Sequence, residues 1–116
     1  MWAAPTFDVE NDTYTNDTNT TNVAVTVVGS CSNQILIAWV TSVFAYVTVS
    51  SVNATAGAMS LIPGATASLE CCGGGNWLKM WGYYRVGTSG SQTVTATLSA
   101  STNDIGLTVL SYCDVN

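Results

Sequence analysis

The cleanest alternation in the chain runs over residues 92–99, where Val94, Ala96 and Leu98 take one side and Thr93, Thr95 and Thr97 the other. A period of two is that of a half-buried β-strand. Residues 23–28 repeat it, with Val23, Val25 and Val27 set against Ala24, Thr26 and Val28, and stop at the turn-rich run Gly29-Ser30-Cys31-Ser32-Asn33. Ile35, Ile37 and Trp39 then oppose Leu36, Ala38 and Val40, which is apolar on both faces and predicts a central strand. Residues 43–52 continue in the same manner. Short strands are predicted over 58–62 and 65–71, with Pro63-Gly64 as the turn between them.

After Gly73-Gly74-Gly75-Asn76, residues 77–86 place Trp77, Lys79, Trp81, Tyr83 and Arg85 on one side and Leu78, Met80, Gly82, Tyr84 and Val86 on the other. A last strand is predicted over 105–113. Phe7, Asp8 and Val9 start a short edge strand, and the Asn/Thr/Asp-rich segment 11–22 reads as a long loop or a solvent-facing strand. Eight or nine short strands predict an all-β chain folded as a two-layer antiparallel β-sandwich, jelly-roll or immunoglobulin-like. With 116 residues it is expected to form a single domain.

Composition agrees with this pattern. Seventeen Thr and twelve Ser accompany few of the good helix formers. The N-terminal Met1-Trp2-Ala3-Ala4-Pro5-Thr6 lacks the basic and apolar regions of a signal peptide, and the mostly apolar run 35–49 is too short and interrupted for a membrane helix. No leader and no membrane span are expected. Two cations, Lys79 and Arg85, stand against seven carboxylates, which speaks against nucleic acid and anionic membranes as partners. Without histidine, the usual general base near neutral pH is missing, and no catalytic residues and no cofactor are assigned.

Phe7-Asp8, Asn33-Gln34-Ile35-Leu36-Ile37 and the Val-rich segment 49–59 ending in Ala58-Met59 are followed by Trp81-Gly82-Tyr83-Tyr84, by the turn and Thr/Val strand of residues 89–98, and by the closing strand 107–115. In this organisation the chain resembles a β-sandwich module recurrent in phage structural proteins, environmental viral sequences and large secreted bacterial adhesion proteins. The resemblance spans almost the whole chain, implies a β-sandwich and brings no catalytic set. Four cysteines, and Thr88-Ser89-Gly90 where a Pro-Gly is frequent, depart from the usual bacterial module.

Cys31, Cys71, Cys72 and Cys113 permit three full pairings. Adjacent side chains of a strand point to opposite faces, so the expected arrangement joins Cys71 and Cys72 to Cys31 and Cys113. Free buried thiols, a vicinal bridge and a metal remain as other readings, although two adjacent cysteines without histidine suit zinc poorly. Asp8, Glu10, Asp12 and Asp17 could gather calcium, but their spacing is not that of a known loop and surface acids are the simpler reading; no metal site is assigned. Four Asn-x-Thr matches, at Asn11, Asn16, Asn19 and Asn53, come cheaply in such a composition.

Trp77, Trp81 and Tyr83 invite an aromatic glycan platform, against the plainer reading that one face of their strand packs the core and the other meets a neighbouring subunit. Trp2, Phe7, Trp77 and Trp81 are the expected anchoring residues. The function expected is that of a non-enzymatic virion protein, a small capsid-decorating or capsid-stabilising subunit. Its partners would be a capsid or other structural protein and further copies of itself, at a virion surface or outside the cell. The alternatives are a secreted adhesion or glycan-binding module, and a self-assembling extracellular fibre subunit whose polar arm through Asn22 pairs with a neighbour's open sheet edge.

Overall fold

The computed structural model describes residues 4–15, 19–43, 47–70, 77–102 and 104–113, together with the backbone alone of Trp77. Nine strands follow one another: β1 (Thr6–Thr15), β2 (Thr20–Val28), β3 (Gln34–Ser42), β4 (Val49–Ala54), β5 (Gly57–Ala58), β6 (Ser60–Glu70), β7 (Trp77–Thr88), β8 (Ser91–Thr102) and β9 (Ile105–Cys113). They form two antiparallel sheets, a five-stranded one ordered β1-β9-β3-β7-β6 and a four-stranded one ordered β2-β8-β4-β5. Among the described residues no helix occurs, so the all-β sandwich expected from the alternation is what forms.

The connectivity separates the two expected sandwich types. β1 pairs with β9, β2 with β8, β3 with β7 and β4 with β5, each antiparallel. This nesting, in which β1 to β4 alternate between the sheets and each meets its mirror partner from the later part of the chain, is the jelly-roll arrangement. β6 is an added strand on the β7 edge. β3 occupies the centre of its sheet, between β9 and β7, as its two apolar faces require.

Several boundaries differ from the sequence reading for identifiable reasons. Where it is described, the polar tract 11–22 takes the solvent-facing-strand alternative and not the loop. Asn11 to Thr15 belong to β1 and pair with β9, while Thr20 and Asn22 pair with β8. These are edge strands with one side in water, which is why Thr and Asn suffice there. Pro63-Gly64 does not separate two strands either; it lies in a register shift between Leu61 and Thr66 within β6, a sheet edge where a missing N–H is tolerated.

The core lies between the sheets. Val23, Val25 and Val27 of β2 and Val94, Ala96 and Leu98 of β8 face Leu36, Ala38 and Val40 of β3 and Ile105, Leu107 and Val109 of β9, all buried. Arg85 closes one side of this interior. Its register opposite Leu36 turns it inward, and its guanidinium donates to the carbonyls of Ala58 (2.8 Å) and Ala56 (3.0 Å), tying the β4–β5 hairpin to the opposite sheet. Strand parity makes a sharp stability prediction for β9. Leu107→Ala removes a fully inaccessible side chain and is expected to cost about 2–5 kcal/mol. Leu110→Ala, on the outward parity of the same strand, is expected to cost about 1 kcal/mol or less in the isolated chain. Denaturant unfolding of the two variants checks this.

Candidate functional site

The two outward faces of the sandwich differ in kind. On the four-stranded sheet the outer positions include Thr26 of β2, Thr93, Thr95 and Thr97 of β8, and Ser51 and Asn53 of β4. Thr26 and Thr93 share a hydroxyl–hydroxyl hydrogen bond of 2.8 Å across that face. The five-stranded sheet is the reverse. With Leu36, Ala38 and Val40 turned inward, β3 presents Ile35, Ile37 and Trp39 outward. In register beside them stand Val86 and Tyr84 of β7, then Tyr112, Leu110 and Thr108 of β9.

The apolar face continues to both edges of this sheet. Phe7 on β1 meets Tyr112 edge-to-face, with ring centroids 5.7 Å apart, and is itself 55% exposed. Leu69 on β6 lies opposite Leu78 of β7, and both are exposed, as are Met80 and Val86. The centre of the face is flat because Gly82 carries no side chain. A Cβ there would stand 2.7 Å from Cζ3 of Trp39 and 3.0 Å from the Ala65 Cβ, so the indole lies across β7 where any other residue would push it away.

Among the described residues, the charges on this face are confined to its rim. Glu10 and Asp12 share its parity but stand on the β1 rim, in register with Leu110 and Thr108. Lys79 and Arg85, the two cations of the sequence, occupy inward-facing register positions opposite Ser42 and Leu36.

The expected site residues distribute unevenly. Trp81 and Tyr83 are 7% and 8% exposed and belong to the core, which corrects the reading of them as an open aromatic platform or contact surface. They pair with Val40 and Ala38, whose inward parity they share, and burial pushes the Tyr83 phenol pKa upward. Phe7 lies on the exposed outer face. Trp2, the Trp77 side chain, Cys71 and Cys72 lie outside the described residues. Sequence reasoning missed Tyr84, Leu110 and Tyr112 as surface residues; the signal was the second apolar parity of their strands.

The cysteines also require a correction. Cys31 is bonded to Cys113, with Cα atoms 5.7 Å apart, so neither is joined to Cys71 or Cys72. The bridge lies where the β2–β3 connection meets the end of β9, and Cys113 stands in register with both Thr6 and Gln34. Closing a separation of 82 residues restricts the unfolded chain, a constraint of roughly 4–5 kcal/mol on the chain-entropy account.

A polar node surrounds the bridge. A register shift between Phe7 and Val9 re-aims Asp8, whose carboxylate accepts from Ser30 Oγ (2.7 Å), Ser30 N (3.1 Å) and Ser111 Oγ (3.1 Å). Gln34 Nε2 donates to the Gly90 carbonyl at 3.1 Å, and its Oε1 also lies 3.1 Å from Ser111 Oγ. That hydroxyl has one proton for two acceptors, and the ionised carboxylate is the stronger of them. Gly29 is enclosed by the same groups: a Cβ there would lie 2.9 Å from both Asp8 Oδ2 and Gln34 Nε2. Asp8, Cys31 and Cys113 bring one oxygen and two sulfurs within 4.8 Å of one another, but the sulfurs are bonded to each other and carry no thiolate for a metal. Among the described residues no ligand pocket opens on the surface. Compared with known proteins, the chain matches no protein family, no curated protein and no solved structure.

The node carries a pH prediction. The Ser30 hydroxyl, then the Ser30 N–H and the Ser111 hydroxyl, hold the Asp8 pKa below its ordinary 3.8 against the opposing effect of desolvation. A native pKa below the unfolded one contributes stability that is full above the unfolded value and is lost as pH falls through the native value. Asp8→Asn is therefore expected to be less stable than the parent at neutral pH, with the gap closing below about pH 4. Thermal unfolding of both proteins across an acid pH series, without reductant, measures it.

Proposed function

We propose that this protein is a non-enzymatic structural subunit, most concretely a small capsid-decorating or capsid-stabilising protein of a virion. It acts through protein–protein contacts made by the outer face of its five-stranded sheet. The observation that carries the reading is the contrast between that face, with large apolar side chains on each of its three inner strands and acids only at its β1 rim, and the Thr-rich face of the other sheet. A soluble sandwich normally wets both outer faces with polar residues, and an extended apolar surface marks a place where another macromolecule sits. The jelly-roll arrangement recurs in viral capsid domains, which is support by fold analogy. The resemblance to phage structural modules points the same way, and the Cys31–Cys113 bridge suits an oxidising exterior.

A second reading, a secreted adhesion or glycan-binding module, draws on the aromatics of the same face: exposed Phe7 and Tyr84, with half-buried Tyr112 against Phe7 and half-buried Trp39 opposite Gly82. Such rings also stack on sugars. The test is native mass spectrometry of the protein from its natural particle or culture medium, under non-reducing conditions, beside a glycan array. The structural reading expects a defined complex and no glycan signal, with Tyr84→Lys lost from the complex while Thr95→Lys is retained. A monomer that binds a glycan contradicts it.

A further inference from the structure

We infer that the occupant of the outer face is a second copy of the same chain, packed face to face across a two-fold axis. The inference rests on the proposed use of that face and names its partner. Size is the first argument. Aromatic side chains expose roughly 150–250 Å² when fully open, and aliphatic ones less; Phe7, Tyr14, Leu69 and Val86 each keep more than half of their exposure, while Leu78, Met80 and Tyr84 keep more than a third. With the half-buried central residues, the open apolar area is on the order of 800 Å², above the roughly 300–600 Å² of an ordinary monomer's largest patch and close to one partner's share of a standard interface.

Shape and polarity identify the partner. The surface that best fits a flat, twisted sheet face with an uncharged centre is another such face, since two sheets pack about 10 Å apart with interdigitating side chains. In this chain the required second face is the same one, and a two-fold axis makes it self-complementary: each copy supplies Ile37, Trp39 and Tyr84 to the other. The centre of the face, from Ile35 and Ile37 to Leu110 and Tyr84, contains no charge. Lys79 and Arg85 both lie at inward positions, so among the described residues of this face recognition by ion pairs has the rim acids Glu10 and Asp12 to work with. In the pair, these acids and a net charge of −5 per copy act as repulsion around an apolar contact, and the two Thr-rich sheets face outward.

This charge arrangement fixes the sign of the salt response. Screening removes repulsion between the copies and leaves the apolar contact, so association tightens as salt rises, whereas association held by ion pairs loosens. The experiment is sedimentation velocity on the purified full chain, without reductant, over a micromolar concentration range at low and high salt. Tyr84→Lys, Val86→Lys and Thr95→Lys are run beside the parent, and thermal unfolding confirms that each variant is folded. The expected result is a reversible dimer that tightens with salt and whose dissociation constant rises at least about tenfold in Tyr84→Lys or Val86→Lys, with no change in Thr95→Lys.

A parent that stays monomeric, yet binds an apolar dye that Tyr84→Lys no longer binds, overturns the second copy as occupant and leaves the face as a contact surface for another protein. A dimer that loosens with salt, or that survives both outer-face variants, overturns the inference as well. If the surviving dimer is instead broken by Thr95→Lys, the contact surface of the proposed function falls with it.

Discussion

Strand parity in the five-stranded sheet is the constraint on which the other features depend. Leu36, Ala38, Val40, Leu107 and Val109 are inaccessible because they fill the space between the sheets, opposite Val27 and Val94. Once these are inside, the alternation of a strand leaves no freedom: Ile37, Trp39 and Leu110 must point out, and a slip of one residue would exchange the whole set. β3, β7 and β9 carry large apolar side chains on both parities, so burying one set necessarily presents the other. The outer face is thus the remainder of a sheet whose three inner strands are built to be covered twice, as strands in a sheet packed on both sides are.

The end of the sandwich at the disulfide holds that parity in place. Cys31–Cys113 joins the entrance of β3 to the exit of β9, the two central strands, while Asp8 fastens the start of β1 to Ser30 and Ser111. The bulge at Asp8 lets Phe7 remain on the outer face while the next carboxylate turns into the node. Gly29 leaves room for this node, because a side chain there would displace the carboxylate and the Gln34 amide from their hydrogen bonds and press on the Gly90 carbonyl. Arg85 performs a comparable service between the sheets, where it satisfies two hairpin carbonyls. Arg85 is thereby held on the inward parity, half-buried and off the outer face of its sheet, which sharpens the contrast between the two outer faces.

Much of this architecture was legible in the residue pattern. The Val and Thr alternation of β2 and β8 showed which side of the four-stranded sheet faces water, because the two parities differ in polarity. β3 announced its central place by being apolar on both sides. β7 was ambiguous for the same reason: Trp81 and Tyr83 alternate with Met80, Gly82 and Tyr84, and both sets qualify for a core. Lys79 and Arg85 bias the first set toward water, yet Arg85 is turned inward by a hydrogen-bonding need that appears only when the β4–β5 hairpin is folded against it. The aromatic surface was therefore sought on the wrong parity. The cysteine pairing failed differently. Adjacent cysteines on opposite strand faces are a local argument, whereas the Cys31–Cys113 bond follows from the nested pairing that brings the β3 entrance beside the end of β9.

The central claim is that the outer face of the five-stranded sheet is covered when the protein works. Hydroxyl-radical footprinting of the protein, free and in its natural assembly, reads this most directly, because oxidisable side chains mark both parities of β7 and both sheets. The account predicts that Met80, Tyr84, Tyr112 and Phe7 are modified in the free chain and protected in the assembly, while Val28 on the Thr-rich sheet reacts equally in both. Unchanged reactivity of Met80 and Tyr84, or protection confined to the Thr-rich sheet, would contradict it.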